Sequence, residues 1–121
     1  MLILFKVLVV LVAVEFLYIM YLETFATASD KTAQTFKMTV QELQNKNEQT
    51  LFKNQGIYNG LIGLGLLYGL FFVQDYLDFV RFLLVYIILV AAYGAYSSDK
   101  SILFKQGGLA IIAFIVSLFL K

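Results

Sequence analysis

Two carboxyl groups interrupt or end the most apolar stretch of the sequence. Glu15 lies in the middle of the run from Leu2 to Leu22, and Glu23 follows the last residue of that run. An ionised carboxylate at the centre of a lipid bilayer costs about 2.5–3.5 kcal/mol on insertion scales. Glu15 is therefore expected to be protonated, to be paired, or to face the interior of a helix bundle.

Polar side chains that could meet these carboxyls lie in other apolar segments. Tyr18 follows Glu15 by three residues, so both lie on one face of a helix. Antiparallel packing against residues 54–63 would put Glu23 level with Asn54 and Gln55, and Glu15 near Gly63. The predicted polar cluster, on one side of a bundle, consists of Glu15, Tyr18, Glu23, Asn54, Gln55, Tyr58, Asn59, Tyr93 and Gln106.

Two interpretations of this cluster remain open at the level of sequence. Amide and phenol side chains bond across membrane helices as structural glue, worth about 0.6 kcal/mol each on average. Ionisable groups inside membrane spans, however, often mark functional sites, so a ligand or ion site is the second interpretation. The carboxyl pairs Glu15 with Glu23 and Asp75 with Asp78 do not have a spacing that supports a metal site.

The residue types exclude several classes of chemistry. The sequence contains no Cys and no His, so zinc or iron–sulfur ligation, thiol catalysis and His-ligated haem are excluded within this chain. Gly63-Leu64-Gly65 lies in an apolar helix and is not a phosphate-binding loop. A net charge of +1 does not favour nucleic acid as a partner. No cofactor is predicted.

The elements that must position these residues are predicted to be membrane helices. Hydrophobic residues make up 61% of the chain and charged residues 14%, against about half and a quarter in soluble domains. A bilayer core about 30 Å thick requires roughly 20 apolar residues in a helix. We therefore predict an all-α fold, a single integral membrane domain over residues 1–121 in contact with the lipid bilayer. Its spans are about 2–22, 55–73, 79–96 and 102–120.

The connections between the spans differ in length. Residues 24–54 form one long polar loop, in which Thr39 and Glu42 have the spacing of a capping box. This motif predicts a helix that starts near Val40 and runs into the second span. The links 74–78 and 97–101 are short, and short links join antiparallel neighbours. The expected architecture is an up-down-up-down four-helix bundle.

Glycines are concentrated in the second span. Gly56, Gly60 and Gly63 lie on one stripe of a helix, and Gly65 and Gly69 lie on roughly the opposite face. Small residues let helix backbones approach closely. We interpret this span as a helix-packing element, placed between neighbours in the bundle or in a homo-oligomer.

The distribution of cations predicts an orientation in the cell membrane. Lys31, Lys37, Lys46, Lys53, Lys100 and Lys105 flank one side, against Lys6, Arg81 and Lys121 on the other. Cytoplasmic flanks carry the excess of Lys and Arg. The loop 24–54 is therefore predicted to be cytoplasmic, with both termini outside.

Two motifs carry a resemblance to a known family. The segment Glu15–Phe25 (EFLYIMYLETF), followed by Asn54–Gly60 (NQGIYNG), resembles the small membrane proteins named domain of unknown function thirteen-oh-four. Family members often have His where this chain has Phe16, so chemistry that needs this imidazole is not carried over. They also tend to have Gln-Gly-x-Pro where this chain has Gln106–Leu109. The resemblance implies a four-helix inner-membrane protein and implies no activity.

Three functions fit these observations. The first is a membrane protein that binds a small or lipidic molecule, or a partner helix, in the polar half of the bundle. The second is a transporter or channel subunit in which Glu15 responds to ions or protons. The third is an intramembrane acid/base enzyme that uses Glu15 or Glu23 with a Tyr as proton donor. No nucleophile motif supports the third, and the first is favoured.

Overall fold

The computed structural model describes residues 1–120, and these are almost entirely helical, with no strand among them. A π-helical turn, Tyr21–Phe25, continues the first helix. The α-helices in chain order are α1 (Leu2–Met20), α2 (Asp30–Phe36), α3 (Val40–Leu43), α4 (Lys46–Phe72), α5 (Tyr76–Ser97) and α6 (Ser101–Ser117).

Local capping residues divide the long polar segment into separate helices. The Ser29 hydroxyl caps α2 by accepting from the Thr32 N–H, and Thr39 and Glu42 form a reciprocal capping box on α3. The helix that begins at Val40 ends at Leu43 and does not run into the second span. Asn45 Oδ1 instead accepts from the Asn47 N–H at 3.0 Å and starts α4 anew. Besides the predicted helix near Val40, the segment 24–54 thus contains α2 and the first two turns of α4.

Within residues 1–120, three helical segments are long and apolar enough to cross a membrane: Leu2–Phe25, Lys46–Phe72 and Tyr76–Ser97. The expected fourth span corresponds to α6, a shorter apolar helix of 17 residues. At about 1.5 Å per residue α6 is roughly 25 Å long, somewhat less than a hydrocarbon core of about 30 Å. The helix that contains the predicted second span, α4, begins at Lys46, well before residue 55.

The described chain forms two compact units. The loop unit comprises Phe16–Gly63, and the hairpin unit comprises Met1–Glu15 together with the chain from Leu64 onward. In the hairpin unit α5 and α6 pack against each other. Arg81 near the start of α5 bonds to Ser117 at the end of α6, and Gly107 lies against Ala91. The two helices are therefore antiparallel.

The second half of α4 packs on α5 in the same unit. A Cβ at Gly69 would overlap the Phe79 ring, and one at Gly65 would meet Leu83. This glycine face therefore serves contact within the chain. The core beside it consists of buried aliphatic side chains, among them Leu66, Val80 and Leu84.

The first half of α4 packs on the end of α1 and on the π-helical turn in the loop unit. A Cβ at Gly56 would overlap the Thr24 hydroxyl, and one at Gly60 would overlap the Met20 side chain. The glycine stripe predicted from the sequence thus lies against these residues. Close backbone approach at Gly56 brings polar groups of both elements together, as the site geometry shows.

Candidate functional site

A π-helical turn forms the base of the candidate site. The Ala26 N–H donates to the Tyr21 carbonyl at 2.9 Å, five residues back, so the turn holds one more residue than an α-turn. Isolated π-turns are rare in proteins, and those that occur are often found at functional sites. Glu23 lies at the centre of this turn, Tyr21–Phe25.

The Glu23 carboxyl is held by one amide on the facing helix. Asn59 Nδ2 donates to Glu23 Oε1 at 2.6 Å. Glu23 is completely buried, with 0% of its surface exposed, and its second oxygen, Oε2, has no hydrogen-bond partner among residues 1–120. A buried polar atom without a partner costs about 1–3 kcal/mol, and more if it is charged. The site therefore contains one satisfied and one unsatisfied carboxyl oxygen.

Hydroxyl groups hold the backbone around Glu23. The Thr24 hydroxyl donates to the Lys53 carbonyl of α4 at 3.0 Å, and the Thr27 hydroxyl donates to the Glu23 carbonyl at 2.6 Å. The Thr32 hydroxyl on α2 lies 3.0 Å from the Leu22 carbonyl and 2.6 Å from the Ala26 carbonyl. These contacts fix the π-helical turn to α4 and to α2, so the Glu23 side chain starts from a restrained backbone.

The other predicted residues of the loop unit make no hydrogen bond to this pair within residues 1–120. Tyr18 is 46% exposed, and its ring stacks on Tyr21 with centroids 6.5 Å apart. Asn54 and Gln55 are exposed on α4, and Tyr58 is 69% exposed. Glu23 therefore pairs with Asn59 and not with Asn54 or Gln55, a displacement of about one helical turn from the expected register.

Three predicted residues belong to the hairpin unit. Glu15 on α1 is half-buried, and its Oε1 has no hydrogen-bond partner. Tyr93 on α5 is exposed beside Tyr96, with ring centroids 6.3 Å apart. Gln106 lies in the second turn of α6 and is partly buried. From the predicted cluster, the structure brings together Glu23 and Asn59.

Sequence reasoning missed the hydroxyl residues that support the site. Thr24, Thr27 and Thr32 were not predicted as site residues, although Ser29 three positions before Thr32 has the pattern of a helix N-cap. That pattern could have indicated α2, and with it a polar contact to the end of the first span. No local pattern indicates that Thr32 reaches back ten residues to Leu22.

The donor set limits the chemistry of the site. Within residues 1–120, no group of three or more acidic side chains lies close enough together to hold a metal ion. One carboxyl and one amide can bind a hydrogen-bond donor through the free Oε2 of Glu23. They could also exchange a proton with such a donor.

Comparison with known proteins places the chain among relatives of unknown function. A family model described as "Protein of unknown function (DUF1304)" matches residues 10–118. The Uncharacterized protein YpaA of Lactococcus lactis subsp. lactis (strain IL1403) is 61% identical over 113 residues, which cover 93% of this chain and 95% of that protein. No solved structure matches the chain.

Proposed function

The chain belongs to the DUF1304 family of proteins of unknown function, and from this premise we propose that it is a multi-pass integral membrane protein that binds a small or lipidic molecule at Glu23. The proposal has two parts: placement in a membrane, and a binding site in the loop unit. Each part rests on separate observations and has its own test.

Placement in a membrane is supported by the length and surface of the helices. The segments Leu2–Phe25, Lys46–Phe72 and Tyr76–Ser97 are long and apolar enough to span a bilayer. Their exposed side chains include Val14, Leu61 and Phe82, each at least half exposed. Exposure of so many large apolar groups to water would be unfavourable at about 25 cal/mol per Å². In a lipid bilayer these apolar groups are surrounded by apolar acyl chains, and this cost does not arise. We propose α6 as a fourth, shorter span.

The observation that carries the binding site is the unpaired Glu23 Oε2. The side chain is fully buried, yet one oxygen accepts from Asn59 and the other has no partner. In an apolar surrounding such an atom is expensive, and a ligand that supplies a donor would remove the cost. This preference assigns a class of ligand: a molecule with an ammonium, hydroxyl or amide N–H group on an apolar body.

A hydrophobic carbodiimide is a suitable probe because it reacts with carboxyl groups inside membranes. In reconstituted vesicles we expect one adduct on the tryptic peptide that contains Glu23. The adduct should be absent in Glu23→Gln and retained in Glu15→Gln, which is the matched control on the same helical segment. An adduct that persists in Glu23→Gln, or no adduct in the wild type, would contradict the proposal that a ligand can reach this buried carboxyl.

Ligand occupancy is tested by the molecules that copurify with the protein. Wild-type protein, Glu23→Gln and Asn59→Leu are purified in mild detergent, and the molecules released by denaturation are compared by mass spectrometry. We expect at least one amphiphile with a hydrogen-bond donor to be depleted about tenfold in Glu23→Gln, as expected when about 1.4 kcal/mol of binding is lost. Identical profiles from three folded proteins would refute the binding proposal and leave the membrane placement intact.

Glu15 supports a second candidate function, a small transporter or channel subunit. Its Oε1 is buried without a partner midway along the first membrane segment, and such groups mark proton and ion pathways in membranes. A pore of this kind would require several copies of the chain, because one small helix bundle is narrow. Proteoliposome flux of protons or Na⁺ that disappears in Glu15→Gln would favour this function. Flux that is absent or unchanged in that variant would count against it.

The orientation follows from the positive charges at the short flanks. We propose that the polar segment between the first two spans faces the cytoplasm, since it contains Lys31, Lys37, Lys46 and Lys53. The chain would then start and end on the outer side.

A further inference from the structure

A depression with charges of both signs lies at the connection between α4 and α5. It is open to the surroundings and is lined by Gln74, Asp75, Tyr76, Leu77, Asp78 and Arg81. The connection joins two segments that are each long enough to span a bilayer. In the proposed membrane placement the depression therefore lies at the depth of lipid headgroups.

The Arg81 guanidinium is held rigidly at one wall of this depression. Its Nε donates to Ser117 Oγ at 3.1 Å, and its Nη2 donates to the carbonyls of Ser117 and Leu120. Nη1 lies 3.9 Å from Asp78 Oδ1, beyond hydrogen-bond distance. One face of a preorganised cation thus remains able to donate to a ligand.

Carboxylates and a second cation complete the charge pattern. The Asp78 side chain in the first turn of α5 is 92% exposed, and Asp75, three residues earlier, lines the same depression. Lys6 Nζ lies 5.7 Å from the centre of the Tyr76 ring, so another positive charge borders the depression. An isolated anion would meet Asp75 and Asp78, and an isolated cation would meet Arg81 and Lys6. A ligand that carries both charges matches the pattern.

An apolar aromatic surface adjoins these charges. Tyr68 stacks on Phe72 with centroids 5.9 Å apart and meets Phe79 edge-on at 6.2 Å. Phe72 is 78% exposed. Acyl chains attached to a headgroup in the depression would have this aromatic surface beside them.

We propose that the depression binds the headgroup of a phosphatidylethanolamine-type lipid. The phosphate accepts from Arg81 Nη1 with Lys6 nearby, and the primary ammonium donates to Asp75 and Asp78. Charge-assisted hydrogen bonds of this kind are the strong ones, and three N–H donors on the ammonium suit two carboxylates. The inference rests on the proposed membrane placement and is independent of the site at Glu23.

Native mass spectrometry of the full chain in nanodiscs tests this inference. The discs contain phosphatidylethanolamine and phosphatidylglycerol in equal amounts, and the lipids retained after partial delipidation are counted. We expect the wild type to retain phosphatidylethanolamine in excess by about threefold, the scale of an exposed ion pair. The pair Asp75→Asn with Asp78→Asn should abolish this excess. Asp30→Asn, at an exposed acid on α2, is the matched control and should retain the excess.

Further arms decide the identity of the ligand. Phosphatidylcholine has no N–H donor, so equal retention of this lipid would overturn the assignment of an ammonium that donates to carboxylates. Soluble glycerophosphoethanolamine that displaces the lipid at equal concentration would overturn a lipid as the occupant. Stable insertion into the discs without any headgroup preference in the wild type would refute the inference while leaving the membrane placement standing.

Discussion

The Asn59 amide donates to the Glu23 carboxyl at 2.6 Å across 36 residues of sequence. This bond joins the π-helical turn to α4 within the loop unit. It satisfies one oxygen of a fully buried carboxyl group and leaves the other without a donor. The same arrangement can therefore stabilise the fold and bind a ligand, and substitutions separate these roles.

Loss of the Asn59 amide should destabilise the protein. Asn59→Leu leaves both Glu23 oxygens buried without a donor, and we expect a loss of about 1–3 kcal/mol in the free energy of unfolding. Glu23→Gln should cost less, because Gln keeps the acceptor oxygen and removes the buried acid. Asn54→Leu, an exposed amide on the same helix, is the control and should change stability by less than about 0.5 kcal/mol. Unfolding in mixed micelles followed by circular dichroism measures all three; equal losses for Asn54→Leu and Asn59→Leu would contradict the role of the bond.

The Thr32 hydroxyl should matter more than its neighbour on α2. Thr32 is fully buried and bonds to carbonyls at both ends of the π-helical turn, whereas Thr35 bonds to the Lys31 carbonyl within its own helix. Thr32→Val should cost about 1–3 kcal/mol because buried carbonyls lose their donor. Thr35→Val should be neutral within about 0.5 kcal/mol. A Thr32→Val protein as stable as Thr35→Val would show that water or another group satisfies these carbonyls.

The change in stability when a glycine is replaced by alanine should depend on the space around the new Cβ. At Gly56 the new methyl group would overlap Thr24 and approach Glu23, whereas at Gly60 it would meet the flexible Met20 side chain. At Gly108 nothing lies within 4 Å. We expect Gly56→Ala to cost about 1–3 kcal/mol, Gly60→Ala to cost less, and Gly108→Ala to stabilise by up to about 1 kcal/mol through helix propensity. Thermal melting should give this order; a Gly56→Ala variant as stable as Gly108→Ala would contradict the close approach.

Arg81 should hold the end of α6. Arg81→Gln removes a charged donor to Ser117 and to the Leu120 carbonyl, a loss of about 1.5–3 kcal/mol for bonds to a charged group. Amides of residues 116–120 should then exchange hydrogen about tenfold faster or more. Lys105→Gln, at an exposed cation near the other end of α6, should leave this exchange unchanged. Unaltered exchange in Arg81→Gln would mean that the helix end is held by packing alone.

The orientation can be tested with single cysteines, because the natural chain contains none. We expect Gln74→Cys to react with a membrane-impermeant maleimide on intact cells. Gln44→Cys and Ser98→Cys should react after the membrane is broken. The opposite labelling pattern would invert the proposed orientation, and labelling of all three sites on intact cells would argue against alternating spans.

Much of the helical structure could be predicted from the sequence because its signals are local. Apolar runs of sufficient length indicated the long helices, and the spacing of Thr39 and Glu42 indicated the capping box that the structure contains. The glycine pattern predicts a helix-packing element, and in the structure Gly56 and Gly60 lie against Thr24 and Met20 while Gly69 lies against Phe79. The family resemblance is also confirmed.

The parts that could not be predicted depend on contacts distant in sequence. The π-helical turn at Tyr21–Phe25 is held by Thr32, and no periodicity in the apolar residues marks it. Glu23 in this turn meets Asn59 of α4, where ideal helices suggested Asn54 or Gln55. The helix break at Asn45 was missed for a different reason, since a capping Asn in a polar segment competes with helix continuation by a small energy.

The wide turn at Tyr21–Phe25 also bears on how the chain tolerates a change in length. The turn holds one residue more than an α-turn. One residue of an α-helix corresponds to a rotation of about 100° about the helix axis. Deletion of one residue from this turn would restore α-helical winding. The side chains of Leu2–Met20 would keep their present faces of the helix. The same deletion between Leu8 and Ala13 would rotate one half of this helix relative to the other, so that buried side chains in one half would turn outward. Deletion of one residue should therefore be tolerated better at the turn than in the helix before it.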